Sequence, residues 1–146
     1  MYKRQGYAFN ILLNQCLKLL FFQPRPSIDP KTFELALKQM KNINSYSNFI
    51  SYDAVLGMPS GHAQGVFYSS AFLFLVLSPI SYTILYFYTF ISIITIFQRI
   101  YYKFHTFGQI FVGAFIGIGY AYLVFFITNS QKKGFLKERA EEYGPI

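Results

Sequence analysis

The chain has 146 residues, of which 53% are hydrophobic and 21% are aromatic. Only 13% are charged, about half of the roughly 25% that is usual in soluble domains. Residues 54–98 contain no Asp, Glu, Lys or Arg, and about 20 apolar residues are enough to cross a bilayer. The composition therefore excludes an ordinary soluble domain and predicts an integral membrane protein.

The formal net charge is +7. The basic residues lie in the loops and flanks of the apolar segments, so we expect them to meet anionic lipid headgroups or an anionic substrate, not nucleic acid. The single cysteine, Cys16, lies inside an apolar segment. One cysteine excludes a disulfide framework and a cysteine metal site within the chain.

Four hydrophobic segments can be drawn as candidate membrane helices. In chain order they are residues 6–22, 63–78, 80–97 and 107–127. Pro79 lacks an amide hydrogen and predicts a turn between the second and third segments. The pattern predicts an all-α fold, an integral membrane bundle of about four transmembrane helices. We expect residues 1–130 to form the membrane-embedded domain and residues 131–146 a polar tail.

A polar segment, residues 23–58, separates the first two hydrophobic segments. Asp29 followed by Pro30 is typical of a helix start. Three apolar residues then recur at helical spacing: Phe33, Leu37 and Met40. With lysines beside them, they predict a short amphipathic helix, either on the membrane surface or packed on the end of the bundle. Residues 42–52 are rich in Asn and Ser and predict a loop.

If the chain crosses the membrane four times, the ends of several helices lie on the same membrane face. The unusual polar residues all fall on that face: Lys18, Arg25, Ser60, Gly61, His62, Arg99 and His105. Both histidines of the protein are among them. Taken singly, each has an ordinary explanation, such as an interfacial cation that snorkels or a helix cap. Their common face and spacing together favour a functional site.

The residue types on this face are typical of a phosphate site. Lys and Arg match a phosphoryl group in charge and donors, and a helix N-terminus adds free amide hydrogens. Gly61 lets the backbone approach an anion closely. We expect no metal, because carboxylates on this face are few: Asp29, Glu34 and Asp53. Phosphoryl transfer without a metal needs a nucleophile and a proton donor, and two histidines fit those roles.

Three motifs in this order resemble those of the type 2 phosphatidic acid phosphatases. They are Lys18 separated by six residues from Arg25-Pro26, then Pro59-Ser60-Gly61-His62, then Arg99 with His105 six positions on. The resemblance covers about residues 6–119. Members of that family normally have a further transmembrane helix before the lysine motif, whereas here Lys18 lies in the first hydrophobic segment.

The resemblance implies a lipid phosphatase that works without a cofactor. It implies that His105 is the nucleophile, forming a phosphohistidine, and that His62 protonates the leaving group. It also implies which residues hold the phosphoryl oxygens: Lys18, Arg25, Arg99 and the Ser60-Gly61 turn.

Two positions depart from the usual family pattern. Gln98 stands where a serine usually precedes the third-motif arginine, and Gln109 stands where an aspartate usually orients the nucleophile. On a helix His105 and Gln109 still share a face, and a glutamine carbonyl can accept the imidazole N–H. Gln109 is therefore a candidate catalytic residue. Gln64 and Gln109 could also be interhelical hydrogen-bond partners, and Gly113 and Gly117 predict close helix packing.

The glutamine at position 109 resembles the pattern of one branch of the family, the dolichyl diphosphate phosphatases. The chain reads Gly57-Met58-Pro59-Ser60-Gly61-His62-Ala63-Gln64 at the second motif and His105-Thr106-Phe107-Gly108-Gln109 at the third. The function expected from it is hydrolysis of a polyprenyl (dolichyl) diphosphate. The alternatives are a broader phosphatase of lipid monophosphates such as phosphatidate, and an inactive lipid-binding membrane protein.

The resemblance favours the endoplasmic reticulum membrane. When the three phosphate-binding cations are set aside, four basic residues remain on the motif face and six on the other. The positive-inside rule then places both termini in the cytoplasm and the active site towards the lumen.

Overall fold

A computed structural model describes residues 2–41, 54–77 and 82–143, and within them the chain is all-helical. Five helices follow one another: α1 (Tyr2–Phe21), α2 (Pro30–Lys41), α3 (Gly61–Leu77), α4 (Tyr82–Tyr101) and α5 (Phe107–Tyr143). An isolated antiparallel bridge joins Pro24 to Leu56. The predicted turn at Ser78-Pro79 and the predicted loop at 42–52 lie outside the described residues.

The helices agree with the predicted elements apart from their ends. Each hydrophobic segment corresponds to one helix, and α2 begins at Pro30, directly after the capping residue. The Asp29 carboxylate accepts hydrogen bonds from the amide and the hydroxyl of Thr32 at 2.9 and 2.6 Å. The last helix differs: α5 continues past residue 130 to Tyr143, because Lys, Glu, Ala and Leu there favour helix. A domain boundary at 130 stays a prediction, and no helix end marks it.

Two helical stretches are long and apolar enough to cross a membrane, Tyr82–Tyr101 and Phe107–Gln131. Their large aromatic side chains point outwards: Phe87, Phe90, Phe97, Phe111 and Phe115 are all more than half exposed. So large an apolar surface suits hydrocarbon better than water. That α1 and α3 also cross the membrane stays a prediction, since α3 has 17 residues and α1 buries polar side chains.

Helix α3 is the centre of the bundle and packs most extensively on α5. Two glycines of α5 allow this close approach. A Cβ atom at Gly113 would lie 2.6 Å from the carbonyl oxygen of Ser60, and one at Gly117 would collide with the carbonyl oxygen of Gln64. The small-residue face predicted from the sequence therefore packs on the backbone of α3. This contact holds the start of α3 against the start of α5.

Candidate active site

Two of the cations predicted to bind phosphate stand in the last turns of helices, Lys18 in α1 and Arg99 in α4. A cation is favourable there because it opposes the helix dipole. A left-handed residue follows each of them, Phe22 with φ 47° and Lys103 with φ 54°. Such a residue commonly ends a helix, although for side chains other than glycine it costs about 1–2 kcal/mol. The Phe22 amide closes the first of these turns on the Lys18 carbonyl at 2.9 Å.

Arg99 organises the loop that carries His105. Its carbonyl oxygen accepts hydrogen bonds from the amides of Phe104 at 3.0 Å and His105 at 3.3 Å, and its guanidinium lies 5.3 Å from the centre of the Phe104 ring. The Arg99 Nε atom is buried and has no hydrogen-bond acceptor among the described residues. A phosphoryl oxygen is the kind of acceptor that this donor could use.

The segments of the first and second motifs are joined through their backbones. The amide of Arg25 donates to the carbonyl of Val55 at 3.1 Å, and the amide of Gly57 donates to the carbonyl of Gln23 at 2.7 Å. Leu56, which lies between Val55 and Gly57 in the chain, is fully buried. The pairing holds the segment that contains Arg25 against the segment that contains Gly57, and the Gly57 carbonyl is a partner of His105.

The imidazole of His105 is 3% exposed, and one of its nitrogens is held by the backbone. Its Nδ1 atom lies 2.9 Å from the carbonyl oxygen of Gly57 and 3.3 Å from Oε1 of Gln109. A backbone carbonyl only accepts, so Nδ1 must carry the proton and Nε2 keeps its lone pair. The result is the tautomer that a nucleophilic Nε2 requires.

The surroundings keep His105 neutral. Burial lowers its pKa to about 4, and the positive charges of Arg25 and Lys18 act in the same direction, while the hydrogen bonds that it donates to Gln109 and Gly57 oppose them. A histidine in water has a pKa near 6.5. His105 is therefore unprotonated at neutral pH, as a nucleophile must be.

The carboxamide of Gln109 has one orientation only. Its Nε2 donates to the Pro24 carbonyl at 3.0 Å, and its Oε1 accepts from the Thr106 amide at 3.2 Å. Since a carbonyl cannot donate and a backbone amide cannot accept, the two contacts fix which end faces His105. Nε2 also donates to Oε1 of Gln23 at 3.1 Å. The predicted contact with His105 is present, and the link to the first motif was not foreseen.

The Ser60-Gly61 turn starts α3. Ser60 is fully buried; its amide donates to the Gln109 carbonyl at 3.0 Å, and its Oγ accepts from the Ala63 amide at 3.4 Å, as an N-cap does. Gly61 has no room for a side chain, because a Cβ atom there would lie 2.9 Å from Oδ1 of Asn14. The turn is therefore packed between α1 and α5.

A network of carboxamides joins α1 to this turn. Nδ2 of Asn14 donates to the Pro59 carbonyl at 3.3 Å and to Oε1 of Gln64 at 2.8 Å. Nε2 of Gln64 donates to Oδ1 of Asn10 at 2.8 Å and to its carbonyl at 3.1 Å. All three side chains are at least 96% buried. The sequence pointed to Gln64 as an interhelical partner, whereas Asn10 and Asn14 were missed, although Asn14 lies four residues before Lys18 and Asn10 four residues before Asn14.

One cavity of about 190 Å³ gathers most of the predicted site. Its lining includes Lys18, Arg25, Gly61, His62 and His105, together with further residues of α1 and with Gly65. In the described part of the chain, Gln109 lies behind His105, and neither Ser60 nor Arg99 lines the cavity. The roles of all eight predicted residues stay predictions. No group of three His, Cys, Asp or Glu side chains that could hold a metal occurs within residues 2–41, 54–77 and 82–143.

Two histidines and two cations line one cavity, which is suited to a phosphate group, and two helices apolar enough to cross a bilayer fit a membrane protein. The model of the PAP2 superfamily matches residues 5–133, and the chain belongs to this superfamily. Its members are phosphatases, which fits action on lipid-type phosphates in a membrane. Neither a curated protein nor a solved structure matches the chain significantly.

Proposed function

We propose that this protein is a metal-independent lipid phosphatase that hydrolyses a polyprenyl (dolichyl) diphosphate to the monophosphate through a phosphohistidine. The observation that carries the proposal is the tautomer of His105. Its Nδ1 is bound to the Gly57 carbonyl at 2.9 Å, and the same ring lines a cavity with Lys18, Arg25 and His62. Nε2 is thereby the nitrogen with a lone pair for phosphorus.

The reaction has two displacements at phosphorus. In the first, Nε2 of His105 attacks the terminal phosphorus, an N–P bond forms, and the bridging P–O bond breaks. Protonated His62 gives its proton to the leaving oxygen. In the second, water attacks the phosphohistidine, His62 takes a proton from that water, the N–P bond breaks and inorganic phosphate leaves. Lys18, Arg25 and Arg99 offset the charge of the phosphoryl oxygens.

The resemblance to the dolichyl branch supports a diphosphate as substrate, and it rests on Gln109 and on the Gly57-Met58-Pro59-Ser60 stretch. The glutamine also has a role in the structure, because its carboxamide donates to the Pro24 carbonyl at 3.0 Å, which a carboxylate could not do. The resemblance to this branch also supports a location in the endoplasmic reticulum membrane. The distribution of basic residues supports an active site that faces the lumen.

Release of inorganic phosphate by detergent-solubilised protein tests the function. Dolichyl diphosphate and phosphatidate are offered side by side at equal mole fraction in the micelle. A higher kcat/KM on dolichyl diphosphate supports the proposal. A preference for phosphatidate would replace it by the broader lipid phosphatase, and lack of turnover on both would indicate an inactive lipid-binding protein.

A labelling experiment distinguishes the roles of the two histidines. With an activated ester such as p-nitrophenyl phosphate, the leaving group needs no proton donor. His62→Ala should then still form an acid-labile phosphohistidine, whereas His105→Ala should lose both labelling and turnover. Labelling retained in His105→Ala would overturn the assignment of the nucleophile.

A further inference from the structure

The chain enters α5 directly after His105, and the first turn of a helix has backbone amides that need acceptors from outside the helix. Here two of them are satisfied reciprocally. The amide of Gln109 donates to Oγ1 of Thr106 at 3.3 Å, and the amide of Thr106 donates to Oε1 of Gln109 at 3.2 Å. The Thr106 carbonyl accepts the first helical bond, from the amide of Ile110 at 3.1 Å. Thr106 is therefore the N-cap of α5, and its two bonds with Gln109 form a capping box.

The capping box and the imidazole share an atom. Oε1 of Gln109, which accepts from the amide of Thr106, also lies 3.3 Å from Nδ1 of His105. On the other side of the candidate nucleophile, the amide of His105 donates to the carbonyl of Arg99 at 3.3 Å. The backbone is thus held on both sides of His105, and on one of them by the oxygen that faces the ring.

Gln109 is 1% exposed, and each of its polar groups has a partner. Its carbonyl accepts from the amide of Ser60 at 3.0 Å, and its Nε2 donates to the side chain of Gln23 and the carbonyl of Pro24. Its own amide depends on the hydroxyl oxygen of Thr106. Since water reaches so buried a residue poorly, loss of that oxygen would leave a donor unsatisfied, which is destabilising.

Thr106 itself is exposed. In the part of the chain that the structure describes, it does not line the cavity that contains the two histidines. Its hydroxyl can influence the reaction only through Gln109. Serine and asparagine supply the same acceptor oxygen at an N-cap, whereas valine matches the shape of threonine without it. The oxygen and the shape of this side chain can therefore be tested separately.

We propose that Thr106 is a positioning residue of the candidate active site: its hydroxyl, through the capping box with Gln109, holds the imidazole of His105 with Nδ1 towards its backbone acceptor. The inference rests on the proposed function, in which Nε2 of His105 attacks phosphorus. It adds to that function a residue that touches neither the cavity nor the reacting atoms. Thr106 contributes by keeping the first turn of α5 closed behind the nucleophile.

The rate of phosphohistidine formation from p-nitrophenyl phosphate is the first measurement. Thr106→Val should lower this rate about tenfold, because the amide of Gln109 loses its acceptor and His105 its orientation. Thr106→Ser and Thr106→Asn should keep most of the rate. Thr128→Val makes the same chemical change elsewhere on α5, where the hydroxyl donates to the Val124 carbonyl at 2.7 Å. This control should leave the rate unchanged.

The second measurement is the tautomer of His105, from the ¹⁵N chemical shifts of its two ring nitrogens at neutral pH. In the unmodified protein Nδ1 should carry the proton. Thr106→Val should shift the population towards the form protonated on Nε2, whereas Thr106→Ser, Thr106→Asn and Thr128→Val should not. A lower rate with an unchanged tautomer would mean that Thr106 only supports the fold, and it would overturn the proposal. Equal rates for Thr106→Val and the unmodified protein, or a loss as large in Thr106→Ser, would do the same.

The tautomer is measured without substrate, so it separates this inference from the proposed function. If the protein forms no phosphohistidine and hydrolyses no lipid phosphate, the proposed function fails, and the ¹⁵N shifts still test Thr106. If Thr106→Val does not fold, Thr106→Gly replaces it in both measurements, since glycine is well tolerated at an N-cap but lacks the oxygen. A His105 tautomer that Thr106→Gly leaves unchanged would then refute the role of Thr106.

Discussion

Replacement of Gln109 by aspartate tests how His105 is held. In the structure the Oε1 atom of Gln109 lies 3.3 Å from Nδ1 of His105, and the pKa of His105 is about 4. An aspartate places a negative charge on the same face of α5, which favours the imidazolium. The substitution should therefore raise the pKa of His105.

The size of the shift follows from charge and distance. An opposite charge within about 4–6 Å moves a pKa by about 1–3 units, which would place the pKa of His105 between roughly 5 and 7. The nucleophile must be neutral, so the acid limb of kcat/KM should move to higher pH by the same amount. Aspartate cannot donate to the carbonyl of the half-buried Pro24, and the loss of such a hydrogen bond costs about 0.5–1.5 kcal/mol. We expect reduced activity at neutral pH.

The pKa can be measured directly because the protein has only two histidines. Titration of ¹⁵N-histidine-labelled protein in micelles gives two imidazole signals, and His62→Ala identifies that of His105. Gln131→Asp, which puts the same charge on an exposed position of α5, is the control and should leave His105 unchanged. A His105 that titrates near 6.5 in the unmodified protein, or that Gln109→Asp does not shift, would refute the reasoning. Gln109→Leu should lose most activity, since it removes both the acceptor and the donor.

Three further predictions test the packing, the chemistry and the orientation. Gly113→Ala should reduce activity strongly and lower the Tm, because its Cβ would lie 2.6 Å from the Ser60 carbonyl; Gly119→Ala, with no atom within 4 Å, should leave activity unchanged, and equal effects would contradict the packing. EDTA should leave phosphate release unchanged, whereas a strict need for magnesium would contradict the mechanism. A glycosylation acceptor engineered into residues 42–52 should be modified in microsomes; modification of a C-terminal acceptor alone would reverse the orientation.

The sequence by itself determined the elements and the motifs. The length of an apolar segment, the helical spacing of its residues and the residues next to a proline are local properties of the chain. The four hydrophobic segments and α2 could therefore be predicted from them. The spacing of Lys18, Arg25, His62 and His105 could be recognised along the chain, and their meeting at one cavity agrees with that interpretation. The sequence did not show that α5 continues to Tyr143, because a solvated polar tail and a polar helix differ little in composition.

Only the tertiary structure decided the state of the candidate nucleophile. The bond between Asn14 and Pro59 joins residues 45 apart in the chain, and the bond between Gln109 and Pro24 joins residues 85 apart. Which nitrogen of His105 carries the proton depends on a backbone carbonyl 48 residues away. Hydrogen-bond direction and burial arise from such distant neighbours, which the local pattern of a sequence does not specify.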